Sequence, residues 1–366
     1  MTLSIHAVQF DELTVEQIDA WSSLRRRRRD LASPFFTPGF ARLMSRHRDD
    51  VEVGIISRDG KPVGFFPFHR LAGDVAGSIG GSLSSMQGLI AAPDLDVSAV
   101  KLLDACRLRA WRFDHLLTGQ AAFATYHDEV DPSYFMDLRV GFDAYAAARR
   151  EAGSGALTHA ARKRRKIARD AGDVQLDWSN TSQAAFETFC DWKRGQLDQQ
   201  GFVNTFRQPW CIRLFEEARR FRDTDRDGAE EVRGQLTTLL AGGELVAACL
   251  SFQSGDIYDA SIPAYNPAYS RYSPGLLLHS EMAQRAAEAG IARIDLGRGD
   301  NQLKTSLATG SEPLAIGAVD RRRVRRMARK CWASTRRLVQ ATPLRGRPLA
   351  GYRRVRNWFR SEGALA

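Results

Sequence analysis

The chain of 366 residues carries 53 Lys and Arg against 43 Asp and Glu, a formal net charge of +10, with 43 % hydrophobic and 26 % charged residues. That balance is globular and excludes a disordered or fibrous protein, and the length allows two or three domains. Five scattered cysteines (Cys106, Cys190, Cys211, Cys249, Cys331) show no metal-ligand spacing, which excludes a zinc module and a disulfide framework and reads as buried thiols of a reducing cytoplasm.

The charge is unevenly placed. Residues 321–366 hold 15 Lys and Arg and one acid, Glu362, so the preceding 320 residues are mildly acidic. The tail alternates arginines with Val324, Met327, Trp332, Leu338, Tyr352, Val355, Trp358 and Phe359. Its three- and four-residue spacings predict two short amphipathic helices, which either pack on the body or lie on an anionic membrane face. Nucleic acid is the least favoured partner. The first residues lack the basic start and apolar run of a secretory signal. The longest uncharged stretch, 75–93, is rich in Gly and Ser and does not read as a membrane span.

In chain order, alternation predicts a strand over 5–10. A helix follows, with Thr14 as N-cap and Gln17 closing a capping box. The runs VEVGIISR and VGFFPFHRL, joined at Asp59-Gly60-Lys61, predict a hairpin. After a Gly/Ser-rich connector (77–88) come a helix over 97–111, the strand FDHLLTG and a strand over 134–138. Residues 142–171 read as helical and carry the run RKRRK (162–166), either a clamp for an acidic acceptor or a solvated helix face. A strand over 174–178 and helices over 183–199 and 209–222 lead to a second hairpin turning at Gly242-Gly243. The strand IYDASIPAY, a helix over 274–289, the strand IARIDLG, a short helix over 302–308 and the strand LAIGAV complete the pattern. Each half therefore reads strand, helices, hairpin, strand, helix, strand. The expected fold is α+β, as two similar domains over 1–150 and 151–320 with a basic helical tail over 321–366.

The sharpest local signal is YNPAYSRYSPGLLLHSEM, in which a strand ends in a tyrosine-rich loop and a helix begins with Ser273 as N-cap, Pro274 and Gly275. The N–H groups of Gly275, Leu276 and Leu277 are expected to point outward at the positive helix end, with Arg271 beside them. This arrangement suits a pyrophosphate, and equally an ordinary well-capped helix. No Walker loop, dinucleotide fingerprint or nucleophile elbow is present.

The run SPGLLL, followed by IDLGRGDNQLKTSLA, resembles the CelD/BcsL-like branch of GNAT acyltransferases, associated with cellulose and exopolysaccharide biosynthesis. Members carry two tandem GNAT-like domains with mixed, largely antiparallel sheets flanked by helices, as the FemABX aminoacyl transferases do. The resemblance covers roughly residues 1–320 and is best over 256–319. It implies that Arg271, Tyr272, Ser273, Pro274, Gly275, Leu276 and Leu277 hold the pyrophosphate of acetyl-CoA or another acyl-CoA, with no metal. Pro274 and Leu276 stand where the general acyl-CoA loop has glycines.

Acyl transfer then assigns candidate roles. A backbone N–H near 261–264 polarises the thioester carbonyl, and Tyr265, Tyr269 or Tyr272 protonates the sulfur. Asp295 or Asp300 serves as base, and Lys304 holds an anionic acceptor or the developing oxyanion. Competing assignments are Asp300 as a helix cap, Asp295 facing a strand partner, Lys304 as a solvated lysine, His279 as a core residue and Trp192 and Lys193 as either core or groove. The expected protein is a cytoplasmic acyltransferase acting on a glycan or other small acceptor, peripheral at a membrane at most. The alternatives are a FemABX-like transferase using aminoacyl-tRNA, and a non-catalytic scaffold docked at a membrane-bound synthase.

Overall fold

The computed structural model describes residues 2–201 and 203–322. The basic tail, with its two expected helices and Cys331, lies outside the described residues apart from Arg321 and Arg322.

In chain order the elements are β1 (Leu3–Gln9), α1 (Val15–Arg26), α2 (Pro38–Ser45), β2 (Val51–Arg58), β3 (Lys61–Leu71), β4 (Val75–Ser78), β5 (Ile90–Ala91), α3 (Ala99–Ala105) and β6 (Ala110–Leu117). These are followed by β7 (His127–Asp137), α4 (Phe142–Glu151), α5 (Ala156–Ala171), β8 (Val174–Asp177), α6 (Gln183–Gln200), α7 (Pro209–Ala218) and β9 (Arg222–Thr224). The last elements are β10 (Glu230–Ala241), β11 (Glu244–Ser254), β12 (Ile257–Tyr265), α8 (Pro274–Glu288), β13 (Arg293–Arg298), α9 (Gln302–Leu307) and β14 (Gly310–Asp320).

The chain forms two compact units of non-contiguous segments. Among the described residues, one comprises 2–31, 44–131 and 313–322, and the other 32–43 and 132–312. In the first unit β1, β2, β3 and β4 are antiparallel neighbours, β4 runs parallel to β6, and residues 314–320 of β14 pair antiparallel with β6. Its core gathers Phe66, Phe68, Leu102, Leu103, Trp111 and Phe123. In the second, β8, β10, β11 and β12 are antiparallel, β12 is parallel to β13, and β13 is antiparallel to β7. Its core joins Tyr145 and Ile167 of α4 and α5 to Leu277, Leu278 and Met282 of α8 and to Tyr258, Ile294 and Leu296 of the sheet. This is the expected mixed sheet with flanking helices.

Local chemistry places the turns. Asp59 (φ 49°) and Gly60 (φ 82°) join β2 to β3, and Gly242 (φ 58°) and Gly243 (φ 84°) join β10 to β11, the paired positive φ angles that two-residue hairpins need. Gly242 is also required for space, because a Cβ there would lie 1.9 Å from the Ala171 carbonyl oxygen. At α1, Thr14 Oγ1 accepts from the Gln17 N–H (3.3 Å) and Gln17 Oε1 from the Thr14 N–H (2.9 Å), the expected capping box.

Two expectations change. The helix predicted over 97–111 ends at Ala105, because Arg107 turns to φ 56° and the chain enters β6, where Trp111 and Phe113 point into the core. The helical run over 142–171 is two helices, α4 and α5, broken at Gly153 (φ 78°). Cys106, Cys190, Cys211 and Cys249 are free and buried, each thiol pushed up to about 12 mainly by burial.

Candidate active site

The second unit contains a parallel crossover, β12–α8–β13. Its ladder runs only from Ile257 opposite Arg293 to Asp259 opposite Asp295, and residues 260–265 of β12 have no partner on β13. On the other edge of β12 the register with β11 shifts between Leu250–Ile262 and Phe252–Asp259, so one extra residue is accommodated around Ala260 and Ser261. Such a bulge bends a strand and re-aims a side chain. Here it turns Ser261 toward β13: a Cβ on Gly297 would lie 2.9 Å from Ser261 Cβ. Gly297, at φ 78°, is glycine both for its backbone angle and for this contact. Beyond Ser261 and Gly297 the two strands form an open fork.

The start of α8 departs from expectation. Ser273 stands before the helix in the left-handed region (φ 55°, ψ 58°), and its side chain makes no cap hydrogen bond. Its carbonyl instead accepts from Leu276 (3.0 Å) and Leu277 (3.1 Å), so those two N–H groups are spent within the helix. Pro274 has no N–H, which leaves that of Gly275. A Cβ at Gly275 would meet only Leu303 Cδ2, at 3.6 Å, so the backbone there is open to a close approach.

Cations frame this helix start. Lys163 Nζ donates to the Arg271 carbonyl, the Arg271 guanidinium lies 4.7 Å from the Tyr272 ring centroid, and Lys166 Nζ lies 5.9 Å from the same ring. Tyr272 itself is 2 % exposed and donates to Asp170 Oδ2 (2.8 Å), so it braces α5 against α8. The RKRRK run is therefore divided between roles. Arg164 pairs with Glu281 on α8 (3.0 Å), Arg162 contacts His159, and Lys163 turns toward Arg271 and Lys166 toward the Tyr272 ring.

Charged groups gather at the base of the fork. Asp259 and Asp295, opposite each other, are each 1 % exposed. Asp259 Oδ1 accepts from Ser261 N–H (3.1 Å) and Oγ (2.6 Å). Asp295 Oδ1 accepts from Arg293 Nε (2.6 Å), whose Nη1 also reaches Glu312 (2.6 Å), while Asp295 Oδ2 is buried with no hydrogen-bond partner among the described residues. Burial pushes the Asp295 carboxyl up to about 7 against the opposing pull of Arg293, with Asp259 and Glu312 adding to the rise.

Lys304 Nζ donates to the carbonyls of Gly297 (3.1 Å) and Arg298 (2.7 Å), and Lys193 Nζ on α6 donates to that of Pro263 (3.0 Å). Neither has a carboxylate partner in ion-pair contact among the described residues. Burial lowers each ammonium to about 8, opposed at Lys304 chiefly by Asp259. Lys304 is thus a partly buried lysine at the fork and not a solvated one. His279 is 3 % exposed, its Nδ1 lies 2.8 Å from the Gly275 carbonyl oxygen, and burial lowers it, so it is a core residue behind the fork.

The remaining candidates fall differently. Tyr134 donates to Asp300, which is exposed and within electrostatic reach of Lys304. The cap of α9 is Asn301, whose Oδ1 accepts from Lys304 N–H (2.8 Å), and not Asp300. Tyr265, at the end of β12, is 39 % exposed. Tyr269 donates to Glu244 (2.7 Å). Of the backbone donors expected over 261–264, Ser261 N–H is spent on Asp259, Pro263 has none, and Ile262 and Ala264 pair with Leu250 and Ala248 of β11, on the edge away from β13. Sequence reading did not single out Asp259, the Ser261 hydroxyl, or Lys163 and Lys166 at the helix start. The period-two pattern of IYDASIPAY breaks at the bulge, and that was the one visible signal.

The first unit has its own parallel crossover, with β4 pairing β6 from Val75 opposite Ala110 to Gly77 opposite Arg112. There the space beyond is filled from within. Gln87 N–H donates to the His115 carbonyl (2.9 Å), and Gln87 Oε1 accepts from Asp114 N–H (3.0 Å) and His115 N–H (3.1 Å).

Residues 154–305, which span α5 to α9, match the acetyltransferase (GNAT) domain family. No curated protein matches the sequence. Among solved structures, FemX is similar at 11 % identity and TM-score 0.52, over 88 % of this chain and 97 % of that one. A tandem GNAT protein from the clavulanic acid biosynthesis pathway is similar at 12 % identity and TM-score 0.50, over 87 % and 99 %. The C-terminal domain of a protein assigned as a lysylphosphatidylglycerol synthetase from Agrobacterium fabrum matches at 14 % identity and TM-score 0.51, over 87 % and 95 %. The fold is thus that of tandem GNAT proteins, with the family match falling within the second unit. Among the described residues no helix is long and apolar enough to cross a membrane, and no group of three or more His, Cys, Asp or Glu is arranged to hold a metal ion.

Proposed function

We propose that the protein transfers an acyl group from acetyl-CoA or another acyl-CoA to an amine or hydroxyl of a small acceptor, at the β12–α8–β13 fork. The observation that carries this reading is the parting of two parallel strands after Asp259 and Asp295, directly beside an open, cation-framed helix start. A pyrophosphate placed at Gly275 meets a free backbone N–H, the helix dipole and the charges of Arg271, Lys163 and Lys166. Ser273, Pro274, Leu276 and Leu277 shape the turn that presents it. The pantetheine arm then runs into the fork and brings the thioester to Ser261.

In this reading Lys304 and Lys193 face the carbonyl oxygen as charge develops on it, and partial burial strengthens that attraction. Asp295 belongs to the proton-accepting machinery, Asp300 lines the acceptor side, and Tyr265 protonates the leaving sulfur. The acceptor is a glycan or a polysaccharide precursor, in line with the CelD/BcsL-like resemblance, and the basic tail provides contact with an anionic membrane face.

Thermal shift and isothermal titration with a panel of acyl-CoAs test the assignment. Saturable binding of at least one acyl-CoA is the expected result, and absence of binding by all of them overturns it in favour of a non-catalytic scaffold. A second reading, transfer from aminoacyl-tRNA, is favoured by the cations at the helix start. It requires binding of aminoacyl-tRNA that falls steeply with salt, without acyl-CoA binding.

A further inference from the structure

Asp259 and Asp295 occupy one rung of a parallel ladder, so their side chains leave the sheet on the same side from strands about 4.8 Å apart. Both are buried, and among the described residues Asp295 Oδ2 is left without a hydrogen-bond partner. The charged groups around them are Arg293, which Asp295 shares with Glu312, and Lys304, which lies within electrostatic reach of Asp259 and in turn of Arg298, Lys193 and Asp300. A proton between the facing carboxyls gives the orphaned oxygen a partner. Ser261 Oγ, at the crotch of the fork, donates to Asp259 Oδ1 at 2.6 Å.

We infer that Ser261, Asp259 and Asp295 form a proton relay, in which the two buried aspartates hold one proton between them and receive the acceptor's proton through the Ser261 hydroxyl. This rests on the reading of the fork as an acyl-transfer site. The acceptor's lone pair attacks the thioester carbonyl carbon. Its N–H or O–H proton passes to Ser261 Oγ while the serine's own proton moves to Asp259 Oδ1. The new C–N or C–O bond forms and the C–S bond breaks, leaving its electron pair on sulfur. The thiolate takes its proton from Tyr265, which is exposed and regains one from solvent, while the pair gives its second proton back to solvent through Ser261, so coenzyme A leaves as the thiol and the pair returns to its singly protonated state. Ser261 touches the reacting atoms; Asp259 and Asp295 act through it.

Infrared titration of the full-length protein is the first test. A protonated-carboxyl carbonyl band is expected at pH 7 and is removed by either Asp259→Asn or Asp295→Asn; its absence from the wild-type protein overturns the shared proton. Thiol release from acetyl-CoA with a panel of small amines is the second. Ser261→Ala is expected to lower kcat about 100-fold with KM for acetyl-CoA little changed, and Ser261→Thr to recover most of it. The acid limb of the pH profile is expected to shift in Asp295→Asn. Unchanged kcat and pH profile in Ser261→Ala, with acetyl-CoA still bound, overturn the relay and leave acyl transfer standing. Failure of the wild-type protein to bind any acyl-CoA overturns both.

Discussion

Replacing Asp295 by Asn isolates the energetic cost of the buried carboxyl. In the folded protein this group keeps its proton up to about pH 7, against 3.8 for an ordinary aspartate. Between those values the folded state holds more protons than the unfolded state, so stability falls as pH rises through that window and levels off above it. Holding the carboxylate ionised at pH 8 costs on the order of 4 kcal/mol relative to the unfolded chain. Asn has nearly the same shape and no charge, and the shift to about 7 is already net of the pull of Arg293. The variant is therefore expected to be on the order of 4 kcal/mol more stable than wild type at pH 8. At pH 5, where the wild-type group is neutral when folded but ionised when unfolded, the advantage is expected to shrink to about 1–2 kcal/mol. Urea unfolding midpoints of both proteins from pH 5 to pH 8 measure the difference, and groups elsewhere cancel in the comparison. A variant destabilised equally at pH 5 and pH 8 would show that Asp295 is ionised throughout and that Arg293 compensates its burial.

Gly297→Ala places a methyl group 2.9 Å from Ser261 Cβ on a backbone at φ 78°, so a loss of about 1–3 kcal/mol is expected, with Ser261→Gly relieving part of it in a double-mutant cycle of urea midpoints. Full additivity of the two substitutions would show that the contact is not made. Gly275→Ala is expected to leave the melting temperature within 2–3 °C (about 0.5–1 kcal/mol), because its Cβ has room, whereas Gly275→Phe abolishes the thermal shift produced by acyl-CoA. An undiminished shift in Gly275→Phe would move the pyrophosphate elsewhere. The double variant Lys163→Ala, Lys166→Ala is expected to weaken acyl-CoA binding about 5- to 30-fold at low salt and less at high salt, since these charges are exposed enough to be screened. Titration calorimetry at two ionic strengths decides it, and a loss independent of salt would point to packing instead.

What the amino-acid sequence determined by itself was local. Asp59-Gly60 and Gly242-Gly243 specify two hairpins because only such pairs take consecutive positive φ angles readily. Thr14 and Gln17 specify a helix start through bonds three residues apart, and Ser273-Pro274-Gly275 marks where α8 begins. The order of strands, helices and hairpins, and with it the mixed-sheet fold, follows from those signals and from the periods of two and 3.6. Tertiary structure decided the rest, because the decisive contacts join residues far apart in the chain. Asp259 meets Asp295 only through the register of two parallel strands, and a one-residue slip would send the two side chains to opposite faces. Lys163 reaches Arg271 across 108 positions, which brings part of a charge run to the start of α8. The bulge at Ala260 and Ser261, marked in the sequence only by a break in the alternation, turns Ser261 toward β13. Even the exchange of residues 32–43 and 313–320 between compact units is invisible in composition, since a buried strand or helix reads the same whichever core it completes.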